Sequence, residues 1–513
     1  MKLFIYLFLL INSTASAFAQ READAMYFGG CFGGGCWCNP PVQGNVFKFN
    51  EDSLIGFTDP ACVPLSTFFS KAAFSDRNTG ELLFASNGWR LINGLGVILA
   101  HKLWRDDVPH PDDSSDTTRV NYAAGPLFLN HPTDSSKVYL FYSQRSAPFF
   151  QGQYLTAADI YFTYALLDIP TQSLISKNNI VLSDTSSMGD MQACRHANGR
   201  DWWIIKPHIF TDLYYVGLLD PTGISMNLVQ LPDVPHLLRS NTSSKFNIQG
   251  NKYIQYIGQP HRQVHEYDFD RCSGLLSNFR PHDLSDSIAN NDLIATLSIS
   301  PNGSKFYIKR NNTLLQGGTD QGLFQVDLAT DEMRLIARYG GTPQMMPNGK
   351  KMIFGEYFFD ENNVIQRRIS EISNPNANFN ELDIHHFKYN ILNPNMGVAP
   401  SNFAYFRLGA EAGSGCDTLG LVSIGHSLPE VKQGMLVFPN PNAGQLSVRF
   451  NQVNGVVNYQ LVSYLGQIVK RWGSADALQS IDLSALNLNS GLYIIQAQSD
   501  DGKMHLQKFV YQK

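Results

Sequence analysis

The sequence predicts an all-β protein, a six- or seven-bladed β-propeller followed by a small C-terminal β-sandwich, and three observations carry the prediction. Aromatic residues make up 12% of the chain and charged residues only 16%, a balance that favours half-buried strands over solvent-facing helices. Short hydrophobic strands end repeatedly in an Asp and a small turn. Asp168, Asp220, Asp270 and Asp327 lie 52, 50 and 57 residues apart, and Asp76 precedes Asp168 by 92, close to two such steps. A repeat of about 40–55 residues of antiparallel strands is the mark of propeller blades. The last part of the chain, from Met435 on, alternates apolar and polar residues through about seven short strands, which reads as a small sandwich.

The chain of 513 residues is too long for one ordinary core, so more than one structural unit is expected. Lys2, the apolar run Leu3 to Ile11 and the small residues around Ala17-Phe18-Ala19 read as a secretory signal peptide over residues 1–19. That run is far below the ~20 residues a spanning helix needs, and no later stretch approaches it, so no transmembrane segment is expected. Lys plus Arg number 39 against 44 Asp plus Glu, a formal charge of -5. No basic field is present to draw nucleic acid, and no nucleic-acid partner is expected.

Residues 20–45 form a Cys/Gly-rich opening segment. Seven cysteines are present: Cys31, Cys36, Cys38, Cys62, Cys194, Cys272 and Cys416. In an oxidising compartment some pair, and the odd count leaves at least one free or bound elsewhere. The C-x₄-C-x-C spacing of the first three matches no zinc pattern, so disulfides are favoured over metal.

The propeller is placed at residues 46–410. Its five Asp-turn segments read as versions of one hairpin, in which the Asp accepts from the backbone two residues on and a glycine supplies positive φ. These aspartates are expected to be structural. Ser300-Pro301-Asn302-Gly303-Ser304-Lys305-Phe306 and Met346-Pro347-Asn348-Gly349-Lys350-Lys351-Met352 each put an Asn-Gly turn before an alternating strand. They resemble the S-P-D-G-K signature of WD-like propeller repeats, with Asn for Asp. Strands near Val138 to Ser143 and a weaker hairpin around Ile369 to Phe379 complete six or seven blades. An array of β-sandwiches is the alternative, but its period runs nearer 90–110 residues. Asn402 to Phe406 reads as a last strand that closes the ring, and residues 411–434 as a linker.

Among stretches that carry chemistry, Cys194-Arg195-His196-Ala197-Asn198-Gly199-Arg200-Asp201-Trp202-Trp203 is the most unusual. Asn198-Gly199 makes a tight turn on which Arg195, His196, Arg200 and Asp201 gather, and these four are the candidate ligand-binding residues. The alternative is that Arg200 and Asp201 tie one blade to the next. His261 and His265 lie four apart in a strand-like pattern, which is not helical metal-ligand spacing. Asp106, Asp107, Asp112, Asp113 and Asp116 surround His110 without the order of a known calcium loop. No nucleophile elbow and no phosphate-cradling glycine loop occurs. No catalytic residue, metal site or cofactor is assigned.

The C-terminal domain, residues 435–513, carries four ordered motifs: Phe438-Pro439-Asn440-Pro441-Asn442-Ala443-Gly444, Tyr464-Leu465-Gly466-Gln467-Ile468-Val469, Ser490-Gly491-Leu492-Tyr493-Ile494-Ile495 and Lys508-Phe509-Val510. In this order they resemble the type A C-terminal sorting domain of the type IX secretion system of Bacteroidetes. The resemblance implies that Pro439, Asn440, Pro441, Gly444, Gly466, Gly491 and Tyr493 belong to a sorting signal read by the type IX machinery. It implies export through the periplasm to the outer-membrane surface or beyond. The segments H-A-N-G-R-D-W-W and Y-D-F-D-R-C-S-G-L-L-S-N resemble those of uncharacterised propeller-like cargo with the same tail. The tail is an address and gives no activity. The expectation is therefore a secreted or cell-surface propeller that binds a glycan or a protein. The alternative is an extracellular polysaccharide hydrolase or lyase with His196, Arg200 and Asp201 near the chemistry.

Overall fold

The structure, a computed structural model, describes residues 21–511 apart from 29–44, 59–70, 106–124, 285–295, 311–321, 392–401, 420–434, 451–455 and several stretches of at most five residues. The expected signal peptide, Cys31, Cys36, Cys38, Cys62 and the acidic stretch around His110 lie outside the described residues. The chain divides into two compact units, Met1–Cys416 and Asp417–Lys513.

The first unit is a propeller built of antiparallel sheets. Sheet I has three strands, Ala25–Phe28, Asn45–Asn50 and Ser53–Thr58. Six four-stranded sheets follow. Sheet II holds Ala72–Ser75, Leu82–Ser86, Leu91–Asn93 and Ile98–Ala100; sheet III holds Leu127–Asn130, Lys137–Ser146, Ala158–Asp168 and Ser173–Ser186. Sheet IV holds Gln192–Arg195, Trp202–Pro207, Leu213–Asp220 and Gly223–Gln230; sheet V holds Ser243–Phe246, Lys252–Ile257, Gln263–Phe269 and Leu276–Asp283. Sheet VI holds Thr296–Ile299, Lys305–Arg310, Gly322–Asp327 and Met333–Ala337; sheet VII holds Gly340–Met345, Met352–Phe359, Ile365–Ile372 and Ile384–Asn390. First strands of successive sheets lie side by side from I to III and from IV to VII, the fourth strands of III and IV adjoin, and the last strand of sheet VII meets Ser53–Thr58 of sheet I.

Burial follows position in the sheet. The inner strands Ala72–Ser75 and Gln192–Arg195 are buried throughout, as sheets covered on both faces require. The outer strand Gly223–Gln230 contains no buried residue and keeps its polar side chains in water. Aromatic rings fill the gaps between sheets, with Phe74 5.9 Å from Phe128 and Tyr214 5.7 Å from Tyr267.

Antiparallel meanders put the first-to-second and third-to-fourth turns at one end of the ring, and the remaining connections at the other. The tight-turn end is highly regular. In sheets IV, V, VI and VII the first turn is the same six-residue loop, closed by His196 N–H to Asp201 O at 2.9 Å, Asn247 to Lys252 at 3.1 Å, Ser300 to Lys305 at 2.8 Å and Met346 to Lys351 at 2.8 Å. Its fourth position is Gly199, Gly250, Gly303 or Gly349, each at φ between 67° and 74°, a left-handed conformation that favours glycine.

The Asp turns are structural, as expected. Asp76 accepts from Asn78 N at 2.9 Å, Asp168 from Thr171 N at 2.9 Å, Asp220 from Thr222 N at 2.7 Å, Asp270 from Cys272 N at 2.9 Å and Asp327 from Ala329 N at 2.8 Å. They are not five versions of one hairpin. Asp168, Asp220, Asp270 and Asp327 close third-to-fourth turns, whereas Asp76 closes a first-to-second turn. Asx chemistry suits any tight turn, so the residue type alone does not tell the two apart.

Asn402 to Phe406 do not add a closing strand. Only Asn402 pairs, in a parallel bridge to Ala72, and the segment then follows the inner strands down the centre of the ring. Asn402 receives hydrogen bonds from Gln192 and Lys245, and Tyr405 packs against three separate hydrophobic clusters. Phe406 meets Trp202 edge-on at 5.3 Å and Phe74 at 5.9 Å. The alternation of aromatics in this stretch serves a central filler rather than a strand face.

The second unit is a seven-stranded sandwich. One sheet joins Met435–Phe438, Gln445–Phe450 and Leu478–Asp482; the other joins Ile468–Ser474, Val457–Ser463, Gly491–Gln498 and Met504–Tyr511. Leu446, Leu461, Ile495 and Phe509 are fully buried between them. The all-β propeller followed by a sandwich is the fold that the sequence predicts.

Candidate functional site

The structure brings Arg195, His196, Arg200 and Asp201 together on the first turn of sheet IV, and each of them bonds to the protein itself, although Arg195 Nε is buried without a hydrogen-bond partner. Asn198 Oδ1 accepts from the amides of Arg200 at 2.9 Å and Asp201 at 3.0 Å, which fixes the turn. Arg200 grips Asp201 through Nε at 2.7 Å and Nη2 at 2.9 Å. His196 Nδ1 accepts from Asn198 N at 3.0 Å and its ring lies 5.4 Å from that of Trp203. Burial holds the His196 imidazole below its ordinary pKa, in the neutral form this acceptor role needs.

Arg195, like Asp201, is only 4% exposed, and its guanidinium lies 3.7 Å over the Trp202 ring. Burial pulls its pKa down to about 10, still charged at neutral pH. It donates to Arg200 O at 3.1 Å and to Phe406 O at 3.3 Å, so it holds the central segment. Arg271, from the last turn of sheet V, donates to Arg195 O at 2.9 Å, His196 O at 3.3 Å and Gly409 O. Glu411 N–H reaches Ala197 O at 2.8 Å, and a disulfide joins Cys272 to Cys416. A methyl group on Gly199 would stand 2.5 Å from Ala410 N. The turn is therefore a clasp around residues 406–416 where they leave the ring. Cys194 is the free cysteine among the described residues, buried beneath it.

Other sequence candidates fall elsewhere. His265 is buried in its strand and faces Tyr267 and Phe279, and no group of three metal-ligating side chains occurs among the described residues. In the sandwich, Gly444 sits at φ 155° and donates to Asn442 Oδ1 at 2.7 Å, and Gly491 opens the strand in which the Tyr493 hydroxyl donates to Asn489 O at 2.9 Å. Pro439, Asn440, Pro441 and Gly466 lie outside the described residues.

A site that the sequence did not announce lies at the seam of sheets VI and VII, on the tight-turn end. It is a cleft of about 130 Å³ whose lining includes Lys305, Asp327, Arg334 and Phe379. Lys305 bonds to Asp327 and holds its carboxyl below the usual range. Arg334 pairs with Glu332 at 2.6 Å and lies 5.4 Å over the Phe379 ring. The only local hint is Asn378-Phe379-Asn380, an aromatic between two amides in a polar turn.

Residues 436–512 match the family model described as a secretion system C-terminal sorting domain. No curated protein matches the sequence. Among solved structures, a putative 6-phosphogluconolactonase from Bacteroides fragilis is 13% identical, with 74% of this chain and 98% of that chain covered at a TM-score of 0.42. An oligogalacturonate lyase from Vibrio parahaemolyticus is 11% identical, with 69% and 93% covered at 0.33. Hydrazine synthase from Kuenenia stuttgartiensis is 13% identical over 51% of this chain, which spans 65% of that chain's length, at 0.31. The motifs of the tail, the sandwich they fold into and the family match converge: the chain is a propeller-type cargo that ends in a type IX C-terminal sorting domain, marked for secretion or display at the cell surface.

Proposed function

We propose that the body is an exported binding module for a glycan or a protein, carried out of the cell by its tail. The observation that supports this most is the state of the charges in the cleft. A glycosidase needs a carboxylic acid whose pKa is raised so that it holds a proton near neutral pH. The Lys305 ammonium pushes the Asp327 carboxyl the opposite way, which suits recognition by fixed hydrogen bonds. The Arg195–Asp201 turn supports the same reading, because its groups serve the body's own exit segment. The polysaccharide hydrolase or lyase alternative demands an acid and a base converging on one cavity.

Presenting the full chain to arrayed glycans and extracellular proteins, with product analysis of every bound glycan, tests the reading. Saturable binding without turnover is expected; release of shortened glycan would replace it with the enzymatic alternative. Export is tested separately. Deleting residues 436–513 is expected to leave the body in the periplasm, and its arrival at the surface at normal levels would sink the role of the tail.

A further inference from the structure

The cleft between sheets VI and VII is a built site, because its outer wall is fastened to its floor. That wall is the turn between the third and fourth strands of sheet VII, and it is seated on sheet VI by Tyr307 Oη to Pro375 O at 2.8 Å, Gln325 Nε2 to Ala377 O at 2.8 Å and Asn302 N to Asn376 Oδ1 at 3.0 Å. Tyr307 and Gln325 are themselves buried and bonded to each other at 3.0 Å, so the position of the wall is set from the core. Asn378 and Asn380 are carried at its exposed edge, and their amides have no hydrogen-bond partner among the described residues.

The chemistry of the lining selects its ligand. Two cations and two carboxylates face the cleft and pair off as Lys305 with Asp327 and Arg334 with Glu332. A charged ligand gains no net field there and must break one of the pairs to be held. The free amides each offer donors and an acceptor, the complement of a hydroxyl, and Phe379 adds an apolar edge on which C–H groups rest. A volume of about 130 Å³ is close to the roughly 150 Å³ of a cavity that takes up benzene, the scale of one six-membered ring. We infer that this cleft binds one neutral pyranose unit of a glycan, with Asn378 and Asn380 on its hydroxyls and Phe379 against its C–H face. The inference rests on the binding-module reading and gives that module its ligand class.

The test uses the full chain immobilised on a sensor surface, with neutral, acidic and amino-sugar oligosaccharides of defined composition as probes. The variants are Phe379→Ala and the double variant Asn378→Leu with Asn380→Leu, whose asparagines are exposed and outside the core; an unchanged denaturation midpoint shows that each is folded. At least one neutral oligosaccharide is expected to bind, and each variant to weaken it about tenfold or more, a factor that corresponds to about 1.4 kcal/mol. Absence of any neutral binder overturns the proposal, as does a neutral binder that both variants leave untouched. Binding of charged sugars alone, weakened by the same variants, also overturns it but leaves the binding module standing. Silence towards every glycan and protein presented overturns both.

Discussion

The Cys272–Cys416 disulfide is the sharpest handle on how the body holds its exit segment. It joins residues 144 apart, from the last turn of sheet V to the end of the central segment. Chain-entropy reasoning for a loop of that length gives about 5 kcal/mol of stabilisation through the unfolded state, against a measured range of about 0–5 kcal/mol. The native contacts around it survive its loss, because Arg271 and the Glu411 amide hold the same segment by hydrogen bonds. The double variant Cys272→Ser with Cys416→Ser is therefore expected to fold, and to lose about 2–4 kcal/mol in guanidinium denaturation. Trp203 supplies the signal, since its indole N–H donates to Arg271 O at 2.7 Å within the clasp. Cys194→Ser serves as the control for thiol removal. Hydrogen exchange adds a local readout: the Glu411 amide exchanges faster in the double variant, while amides of sheet VI keep their relative protection. A double variant as stable as the parent, with Glu411 equally protected, would refute the view that the disulfide secures the segment.

Two further expectations concern buried charge. Lys206 and Asp159 form a fully buried ion pair at 2.6 Å between sheets IV and III, and Lys206 also donates to Ser187 O at 2.7 Å; Lys206→Ala is expected to cost about 3–5 kcal/mol in denaturation, with most of it recovered when Asp159→Leu is combined with Lys206→Met. His282 of sheet V sits between Glu266 Oε2 at 3.2 Å and Asp331 Oδ1 of sheet VI at 2.5 Å, with Lys252 and Arg280 also on Glu266. Burial opposes its protonation, but the bonds to Glu266 and Asp331 prevail and raise its pKa above the ordinary value. Its contribution is complete below the unfolded pKa near 6.5 and fades as pH rises through the higher folded value, so melting temperature is expected to fall from pH 6 towards pH 9 by an amount that His282→Gln removes.

What was legible in the sequence was whatever is encoded locally. The Asx turns at Asp168, Asp220 and Asp270 carry their own hydrogen-bond partners within three residues, so their role could be read without a fold. The tail motifs are equally local, and most strands of the sandwich fall where alternation places them. Residues 402–406 do not form the strand their pattern suggests because their aromatics answer to several sheets at once, and an alternating pattern looks the same on a strand and on a central filler. Kinship among the first turns was hidden by a substitution at one position: Asp201 stands where the other three loops carry Lys252, Lys305 and Lys351, and the changed charge drew attention to chemistry where the backbone is the same. The cleft was invisible for a different reason. Its wall comes from sheet VII and its floor from sheet VI, some fifty residues apart.

The clasp decides where any force on the C-terminal tail would go. Traction applied beyond Asp417 reaches Cys416 first and passes through a covalent bond into the outer turn of sheet V. The central segment behind it, with Tyr405 and Phe406 lodged among the inner strands, is spared the load. A body hauled in this way is not unthreaded from its centre, much as a knot tied outside a drawstring bag keeps the cord from slipping back through the neck.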